Sequence, residues 1–215
     1  MFFRTIYRFM IHKFILILAI LLSSLITKSQ CLKADIVLLL DWSGSESENS
    51  EYITAAAHDF IYSLNMGPSS VKVGVIPFND IAIAPFSASI SYDKSILASV
   101  VSQLSKTSPS GSTSYRGAFN LTKAFFDKSQ LERKEDVMNI VILISDGEEL
   151  DMSTDPIVSS IKSNGCLIWC IGTTSGGMSY DGRARLMGIA SSPEFYSEQS
   201  YYTLRDELLR MNICP

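Results

Sequence analysis

Histidine is scarce in this chain, whose 215 residues include two, His12 and His58. His12 lies in an N-terminal stretch that we expect to be removed, which leaves His58 as the one histidine of the mature protein. The segment around it, AAAHDF, has the pattern of a helix, so we expect His58 to lie on a helix face rather than to act as a general base. The composition therefore argues against a hydrolase of the Ser/His/Asp type.

Two signatures of bound cofactors are also missing from the sequence. No GxGxxG segment joins an apolar run to a helical one, and Ser43-Gly44-Ser45 does not replace it, so we do not expect dinucleotide binding. No Cys-x-x-Cys pair or Cys/His cluster occurs, which argues against a zinc site. No internal repeat, long linker or low-complexity block divides the chain, and its length suits one sizeable domain.

The N-terminal apolar run is too short to span a bilayer. Phe14 to Ile26 is 13 residues long, whereas a membrane span needs roughly 20. Basic residues precede the run, and Thr27 and Ser29 suit the −3 and −1 positions of a cleavage site. We therefore expect residues 1–29 to be a secretory signal peptide and residues 30–215 to be the mature domain. An uncleaved N-terminal anchor is the alternative.

Removal of residues 1–29 would make the protein more acidic. The whole chain has 18 basic and 22 acidic residues, and residues 1–29 contain four basic and no acidic ones, so the mature net charge is 14 minus 22, or −8. Such an acidic domain is a poor partner for nucleic acid or for an anionic membrane surface. We expect neither nucleic-acid binding nor stable membrane insertion after cleavage, and the acidity is compatible with cation binding.

Four cysteines are present, and we expect two of them to form a disulfide and the other two to remain free thiols. Cys31 follows the expected cleavage site and Cys214 is the penultimate residue. Domain termini often lie close together, and a secreted protein meets an oxidising environment, so we expect a Cys31–Cys214 disulfide. Cys166 and Cys170 would lie about 13 Å apart along a strand, too far to bridge, so we expect buried free thiols. Asn120-Leu121-Thr122 is an acceptor triplet for an N-linked glycan.

Apolar runs alternate with amphipathic stretches along the chain, which predicts a parallel sheet with helices on both faces. Strands are expected at Asp35–Leu40, Val71–Phe78, Met138–Ile144 and Cys166–Ile171, with weaker candidates at Ala82–Ala88 and Glu194–Ser197. Helices are expected at residues 47–67, Tyr92–Leu104, Tyr115–Lys128, Asp155–Asn164, Tyr180–Ala190 and Tyr202–Met211. In such an α/β fold, ligands bind at the carboxyl ends of the strands.

Three polar stretches lie at that expected edge. They are Asp41-Trp42-Ser43-Gly44-Ser45 after the first strand, Gly111-Ser112-Thr113-Ser114 in a Ser/Thr-rich loop, and Ser145-Asp146-Gly147-Glu148 after the run NIVILI. They offer oxygen ligands alone, which favour hard cations such as Mg²⁺, Mn²⁺ or Ca²⁺. We interpret Trp42 as a packing or rim residue and leave contact with a partner open.

These stretches resemble the von Willebrand factor type A family, whose metal-ion-dependent adhesion site contains an Asp-x-Ser-x-Ser motif, a threonine in a Gly-x-Thr loop and an aspartate before Gly. The resemblance covers about residues 35–211 and implies a doubly wound, mostly parallel six-stranded sheet. The implied metal ligands are Asp41, Ser43, Ser45, Thr113 and Asp146. Tyr115 departs from the pattern, because many members have a second threonine there.

The resemblance also implies a function. Neutral hydroxyl ligands leave the cation electrophilic, so that an open coordination position takes a Glu or Asp side chain of an extracellular protein. We therefore expect a secreted, non-enzymatic module of cell adhesion or extracellular matrix that holds a divalent cation, with Mg²⁺ favoured and Mn²⁺ or Ca²⁺ possible.

Several alternatives remain at the level of sequence. Ser45 and Glu48 also match a capping box for the first helix, and Asp146 before Gly147 also matches a simple turn. A scaffold could keep the fold without using a metal. A Mg²⁺-dependent phosphatase of the haloacid-dehalogenase type needs Asp-x-Asp after its first strand, and Ser43 stands where the second aspartate should be.

Overall fold

The computed structural model describes residues 33–80, 88–133, 137–148, 155–174, 178–200 and residue 206. Several expectations lie outside these residues: the signal peptide at 1–29, the Cys31–Cys214 disulfide, most of the strand at Ala82–Ala88, and nearly all of the helix at Tyr202–Met211.

A six-stranded sheet forms the centre of the domain, and its strands lie in the order β3-β2-β1-β4-β5-β6. Five strands are parallel, while β3 runs antiparallel to β2 at one edge. The bounds are β1 Ala34–Asp41, β2 Val71–Phe78, β3 Ala88–Ser91, β4 Met138–Ser145, β5 Leu167–Thr174 and β6 Tyr196–Ser200. The doubly wound, mostly parallel sheet expected from the sequence is confirmed.

The helices that connect the strands follow the apolar stripes of the sequence. Their bounds in the described residues are α1 Ser50–Ser63, α2 Lys94–Leu104, α3 Tyr115–Arg133, α4 Asp155–Ser163 and α5 Tyr180–Ile189. α1 buries Ile53, Ala56, Ala57, Phe60 and Ile61, which recur at helical spacing on one face. No helix in the described part of the chain is long and apolar enough to cross a membrane.

The core lies on both faces of the sheet. Alternate residues of the four central strands, including Val37, Leu39, Val141 and Leu143, pack in one cluster with buried residues of α3, α4 and α5. The intervening residues of β1 are equally buried, so the opposite face is covered too, and α1 and α2 pack against each other on that side. Burial on both faces explains why these strands are continuous apolar runs rather than alternating ones.

The capping-box alternative for Ser45 is not realised. Gly44–Glu46 forms a single 3₁₀ turn, and α1 starts six residues after Gly44, at Ser50, with Asn49 as its N-cap residue. The Ser45 hydroxyl instead lies 3.1 Å from the Ser43 hydroxyl. The hydroxyl is therefore not committed to a helix terminus, because the chain makes an extra turn between the Ser-rich motif and the helix.

The chain order reverses at β1, which has β2 on one side and β4 on the other. This arrangement opens a crevice at the carboxyl ends of β1 and β4, the usual ligand position of doubly wound sheets. Asp41 is the last residue of β1 and Asp146 directly follows β4. The two aspartates selected from the sequence therefore flank the crevice.

Candidate functional site

Asp41 is fully buried at the end of β1, and neighbouring hydrogen-bond donors hold its carboxylate. The Ser43 backbone N–H donates to Asp41 Oδ1 at 2.9 Å, and the Ser145 hydroxyl donates to Asp41 Oδ2 at 2.5 Å. Burial raises the pKa of Asp41 to about 7, even though these hydrogen bonds oppose the rise, and the nearby charge of Asp146 adds to it. A cation beside Asp41 would relieve this cost of burying its charge.

The two serines of the motif lie on the turn that follows β1. Their hydroxyl oxygens are 3.1 Å apart, with Ser43 buried and Ser45 exposed. One hydroxyl therefore lies within the protein and the other at the solvent edge of the sheet.

Asp146 lies in a sharp turn after β4. The Glu148 backbone N–H donates to Asp146 Oδ1 at 2.9 Å, and Gly147 has φ of +81°. A Cβ at Gly147 would collide with the carbonyl group of Gly182 on α5, so only glycine fits. Arg185 donates to the Gly147 carbonyl at 3.1 Å. The turn that carries Asp146 is thus packed tightly against the start of α5.

Thr113 is buried in the Ser/Thr-rich loop, and backbone contacts bring that loop to the motif after β1. The Gly44 N–H donates to the Gly111 carbonyl at 3.1 Å, and the Ser110 N–H donates to the Trp42 carbonyl at 3.0 Å. The indole Nε1 of Trp42 donates to the Thr107 hydroxyl at 3.0 Å. Trp42 is 2% exposed, so it is a packing residue that ties the two loops together and not a rim residue.

Sequence reasoning missed a third carboxylate. Glu46 is fully buried on the 3₁₀ turn, and carboxylate oxygens of Asp41, Glu46 and Asp146 all lie within 4.8 Å of one another. The Thr173 hydroxyl, near the end of β5, donates to Glu46 Oε1. A buried glutamate one residue after the motif has no local sequence signal, because its partner comes from a strand 127 residues further on.

Sequence reasoning also missed the role of Tyr115, the residue that departs from the family pattern. Its ring is fully buried, and its hydroxyl lies 2.6 Å from the Ser145 hydroxyl, which in turn donates to Asp41. Tyr115 therefore takes part in the hydrogen-bond chain behind Asp41. An aromatic residue fits at this position because it fills the core beside Phe78, at a ring-centroid distance of 5.7 Å.

Asn120 and the two cysteines among the described residues belong to α3 and to the chain around β5. Asn120 is exposed on α3, whereas Thr122 is buried and donates to the Ala118 carbonyl at 2.9 Å. Cys166 and Cys170 are buried free thiols, as expected.

The donor set suits a hard cation. Carboxylate and hydroxyl oxygens surround the crevice, with Asp41, Glu46 and Asp146 supplying negative charge and Ser43 and Ser45 supplying neutral oxygens. Mg²⁺, Mn²⁺ and Ca²⁺ prefer such ligands, whereas structural zinc sites are richer in sulfur and nitrogen. These residues could hold one divalent cation at the carboxyl edge of the sheet.

Comparison with known proteins agrees with this architecture. The family model of the von Willebrand factor type A domain matches residues 35–210. The human collagen alpha-6(VI) chain is 28% identical over 178 residues, which cover 80% of this chain and 7% of the collagen chain. The chain therefore spans a small part of the length of this curated relative.

Solved structures share the fold at low sequence identity. The manganese-loaded TRAP protein of Plasmodium vivax superposes with a TM-score of 0.64 at 21% identity, covering 85% of this chain and 74% of that one. Proximal thread matrix protein 1 of the mussel byssus was solved with zinc in its MIDAS motif, the metal-ion-dependent adhesion site. It superposes with a TM-score of 0.63 at 21% identity, which covers 85% of this chain and 46% of that one. Together with the family match, the fold places this chain in the von Willebrand factor type A domain family.

Proposed function

We propose that this protein is a secreted adhesion-type module that holds a divalent cation and uses it to bind a carboxylate of an extracellular protein. The observation that carries the proposal is that the carboxylates of Asp41, Glu46 and Asp146 lie together in the crevice at the carboxyl ends of β1 and β4. The hydroxyls of Ser43 and Ser45 lie beside them. A bound cation would supply an electrophilic centre that accepts a Glu or Asp side chain of the partner.

The protein's own residues have distinct roles in this proposal. Ser43, Ser45 and Thr113 offer neutral oxygens, so they bind the cation without cancelling its charge. Asp41 and Asp146 hold it directly or through water, and the hydrogen bonds from Ser43 and Ser145 keep the Asp41 carboxylate oriented. We favour Mg²⁺, with Mn²⁺ and Ca²⁺ as alternatives. A manganese-loaded structure and one with a zinc-occupied MIDAS motif, both of the same fold, support a bound divalent ion.

Thermal melting in Mg²⁺, Mn²⁺, Ca²⁺ or EDTA tests the cation. A ligand that binds the folded state alone stabilises it by about 2.7 kcal/mol at a hundred times its Kd. We expect a higher Tm with at least one cation than with EDTA, and no such difference in Asp146→Ala.

The matched control is Asp127→Ala, which removes an exposed aspartate of α3 that pairs with Lys123. We expect this variant to keep the cation-dependent shift in Tm, since exposed pairs contribute little. A wild type that melts identically in EDTA and in all three cations would reject the metal and leave the metal-free scaffold as the better description.

A pull-down of extracellular proteins with and without EDTA tests the partner. We expect a protein that is retained by the wild type with cation and released by EDTA, and that Asp146→Ala does not retain. Retention that ignores both EDTA and Asp146→Ala would favour a scaffold.

We propose that the protein is not an enzyme. Incubation with generic phosphate esters and Mg²⁺ tests the phosphatase alternative, and we expect no turnover. Turnover that Asp41→Ala abolishes would overturn the adhesion proposal.

We also propose that the mature domain comprises residues 30–215, with a Cys31–Cys214 disulfide and a glycan on Asn120. Glycosylation is compatible with the exposed position of Asn120 on α3. Peptide mapping of secreted protein tests all three features. Material that begins at Met1, or a Cys31 peptide that is not linked to Cys214, would contradict the first two.

A further inference from the structure

Met178 packs its thioether sulfur against bare backbone near the carboxyl end of β5. A Cβ at Gly172 would collide with the Met178 Sδ atom, so the sulfur occupies the space that a side chain on β5 would fill. The Tyr196 hydroxyl, from β6, lies 3.6 Å from the same sulfur. Met178 is partly buried and packs against the core cluster between the sheet and α3, α4 and α5. The sulfur therefore has close neighbours on two strands.

The chain that follows Met178 leads directly to the turn of Asp146. Ser179 is the N-cap residue of α5, and its hydroxyl accepts a hydrogen bond from the Gly182 N–H at 2.9 Å. A Cβ at Gly182 would collide with the carbonyl oxygen of Asp146, so the first turn of α5 lies against the backbone of that aspartate. A displacement of Met178 therefore moves the capped end of α5, and with it the backbone that positions the Asp146 carboxylate.

The surroundings of Met178 suit a thioether and not a sulfoxide. A thioether sulfur is a weak acceptor, and the Tyr196 hydroxyl donates to Glu198 Oε1 at 2.8 Å. A sulfoxide is polar and has one oxygen more than the thioether. That oxygen would meet the backbone of Gly172 or would compete with Glu198 for the hydrogen bond of Tyr196. Either position requires Met178 to move away from β5.

We infer that Met178 is a site of reversible oxidation and that its sulfoxide weakens cation binding by displacing the start of α5. The effect on the cation rests on the proposed function. The oxidant is a peroxide: the sulfur lone pair attacks one oxygen of hydrogen peroxide, an S–O bond forms and the O–O bond breaks. The second oxygen leaves as water with both protons, so the sulfur loses two electrons and the peroxide gains them.

The experiment compares Mn²⁺ binding, measured by calorimetry, before and after treatment with hydrogen peroxide. Mass spectrometry of peptides shows which methionines have gained an oxygen. We expect the Mn²⁺ affinity of the wild type to fall several-fold as Met178 is oxidised, while far-UV circular dichroism shows a protein that is still folded. Methionine sulfoxide reductases of both stereospecificities should restore the affinity, because they return the sulfoxide to the thioether.

The matched pair of variants is Met178→Leu and Met187→Leu. Leucine has nearly the volume of methionine and no sulfur, so each change removes one oxidisable position with little effect on packing. Met187 is an exposed residue of the same helix, α5. We expect Met178→Leu to keep its Mn²⁺ affinity through peroxide treatment. Met187→Leu should lose affinity as the wild type does.

Gly172→Ala displaces Met178 without any oxidation, because the new Cβ takes the place of the sulfur. We expect this variant to bind Mn²⁺ several-fold more weakly than the wild type before peroxide is added. It provides the test if Met178→Leu does not fold. Wild-type affinity in Gly172→Ala would show that a displacement of Met178 does not reach Asp146, and would overturn the inference.

The outcomes separate this inference from the proposed function. If the untreated wild type binds no Mn²⁺, the proposed function is wrong and the effect of Met178 on the cation is wrong with it. If the untreated wild type binds Mn²⁺ and Asp146→Ala does not, the proposed function stands. The role of Met178 alone is then overturned if Met178 resists peroxide, or if peroxide lowers the affinity of Met178→Leu as much as that of the wild type.

Discussion

Gly147 and Gly165 have nearly the same backbone conformation in different surroundings, with φ of +81° and +80°. A Cβ at Gly147 would collide with the backbone of Gly182, whereas a Cβ at Gly165 would meet nothing within 4 Å. Substitution by alanine at these two positions therefore separates backbone strain from close packing.

We predict that Gly165→Ala costs about 1–2 kcal/mol of the free energy of unfolding, the strain of a left-handed residue. Gly147→Ala should cost clearly more, because α5 must also move, and it should weaken cation binding through Asp146. Urea unfolding of both variants measures the difference. Equal costs would show that the approach of Gly182 does not restrain the turn.

Asp41 predicts a pH dependence for the cation-free protein. Its pKa in the folded state is about 7, against 3.8 for the unperturbed group. The folded state therefore holds the proton more tightly than the unfolded state does, so this contribution to stability is complete below the unfolded pKa and is lost as the pH rises through 7.

In EDTA we therefore predict that unfolding in urea becomes easier between acidic and neutral pH. The change attributable to Asp41 is up to about 4 kcal/mol, at 1.36 kcal/mol per unit of pKa. Asp41→Asn should remove this part of the slope, whereas Asp127→Asn, on the exposed face of α3, should leave it intact. If the free energy of unfolding depends on pH in the same way in the wild type and in Asp41→Asn, the argument from the burial of Asp41 is contradicted.

Side chains of the site could be predicted from the sequence only where a motif names them. Asp41 and Asp146 were found because each follows a buried apolar run, and both lie at the crevice. Glu46 and Tyr115 were not, because Thr173 and Ser145, which give these two side chains their positions, come from strands that are distant in the sequence.

Strands and helices were more predictable than their ends. The strand at Val71–Phe78 agrees in both bounds, since the run is apolar apart from Lys72 and Gly74 and polar residues flank it on both sides. β5 begins at Leu167 and extends to Thr174, beyond the expected end at Ile171, because pairing with β6 continues through two threonines of lower hydrophobicity. Pairing partners, and not the residues of the strand itself, decide such ends.

A side-chain hydrogen bond, from the buried Trp42 Nε1 to Thr107, joins the Ser/Thr-rich loop to the motif after β1, in addition to two backbone hydrogen bonds. We predict that Thr107→Val costs about 1–3 kcal/mol, because it leaves a buried N–H without its acceptor. Cation affinity should fall as well, since the loop loses one of its links to the motif after β1. Calorimetry and urea unfolding measure the two effects.

Thr107→Ser is the control for this change, because it keeps the hydroxyl and removes the methyl group. We expect it to retain most of both the stability and the cation affinity. If Thr107→Val keeps the stability and the cation affinity while Thr107→Ser loses them, the methyl packing and not the hydrogen bond holds the loop.

At the level of the whole molecule, the two buried thiols report on opening of the core. Burial raises the pKa of Cys166 to about 12 and also raises that of Cys170, so neither forms the reactive thiolate in the folded protein. Both belong to the cluster between the sheet and α3, α4 and α5.

We predict that iodoacetamide labels Cys166 and Cys170 at one common, slow rate set by unfolding. Cation at a hundred times its Kd should slow that rate about a hundredfold, because it binds the folded state. Mass spectrometry of the peptides resolves each site. Fast labelling of one cysteine alone would show that the parts of the core around the two cysteines open separately.

The overall architecture followed from the alternation of apolar runs and helical stripes, because buried strands that alternate with helices indicate a parallel sheet covered by helices. The order of the strands did not follow, since β1, β2 and β4 have similar composition and the pattern does not say which of them are neighbours. The antiparallel edge strand β3 has four residues and begins where the expected edge strand was to end, at Ala88.

Trp42 stands in the chain between Asp41 and Ser43 and is sealed from solvent, with its indole nitrogen held by the loop of Thr107. Trp42 is therefore an intrinsic fluorescent probe at the carboxyl edge of the sheet. The chain has two tryptophans, and the other, Trp169 on β5, packs edge-on against Phe195, so a Trp169→Phe variant isolates the fluorescence of Trp42.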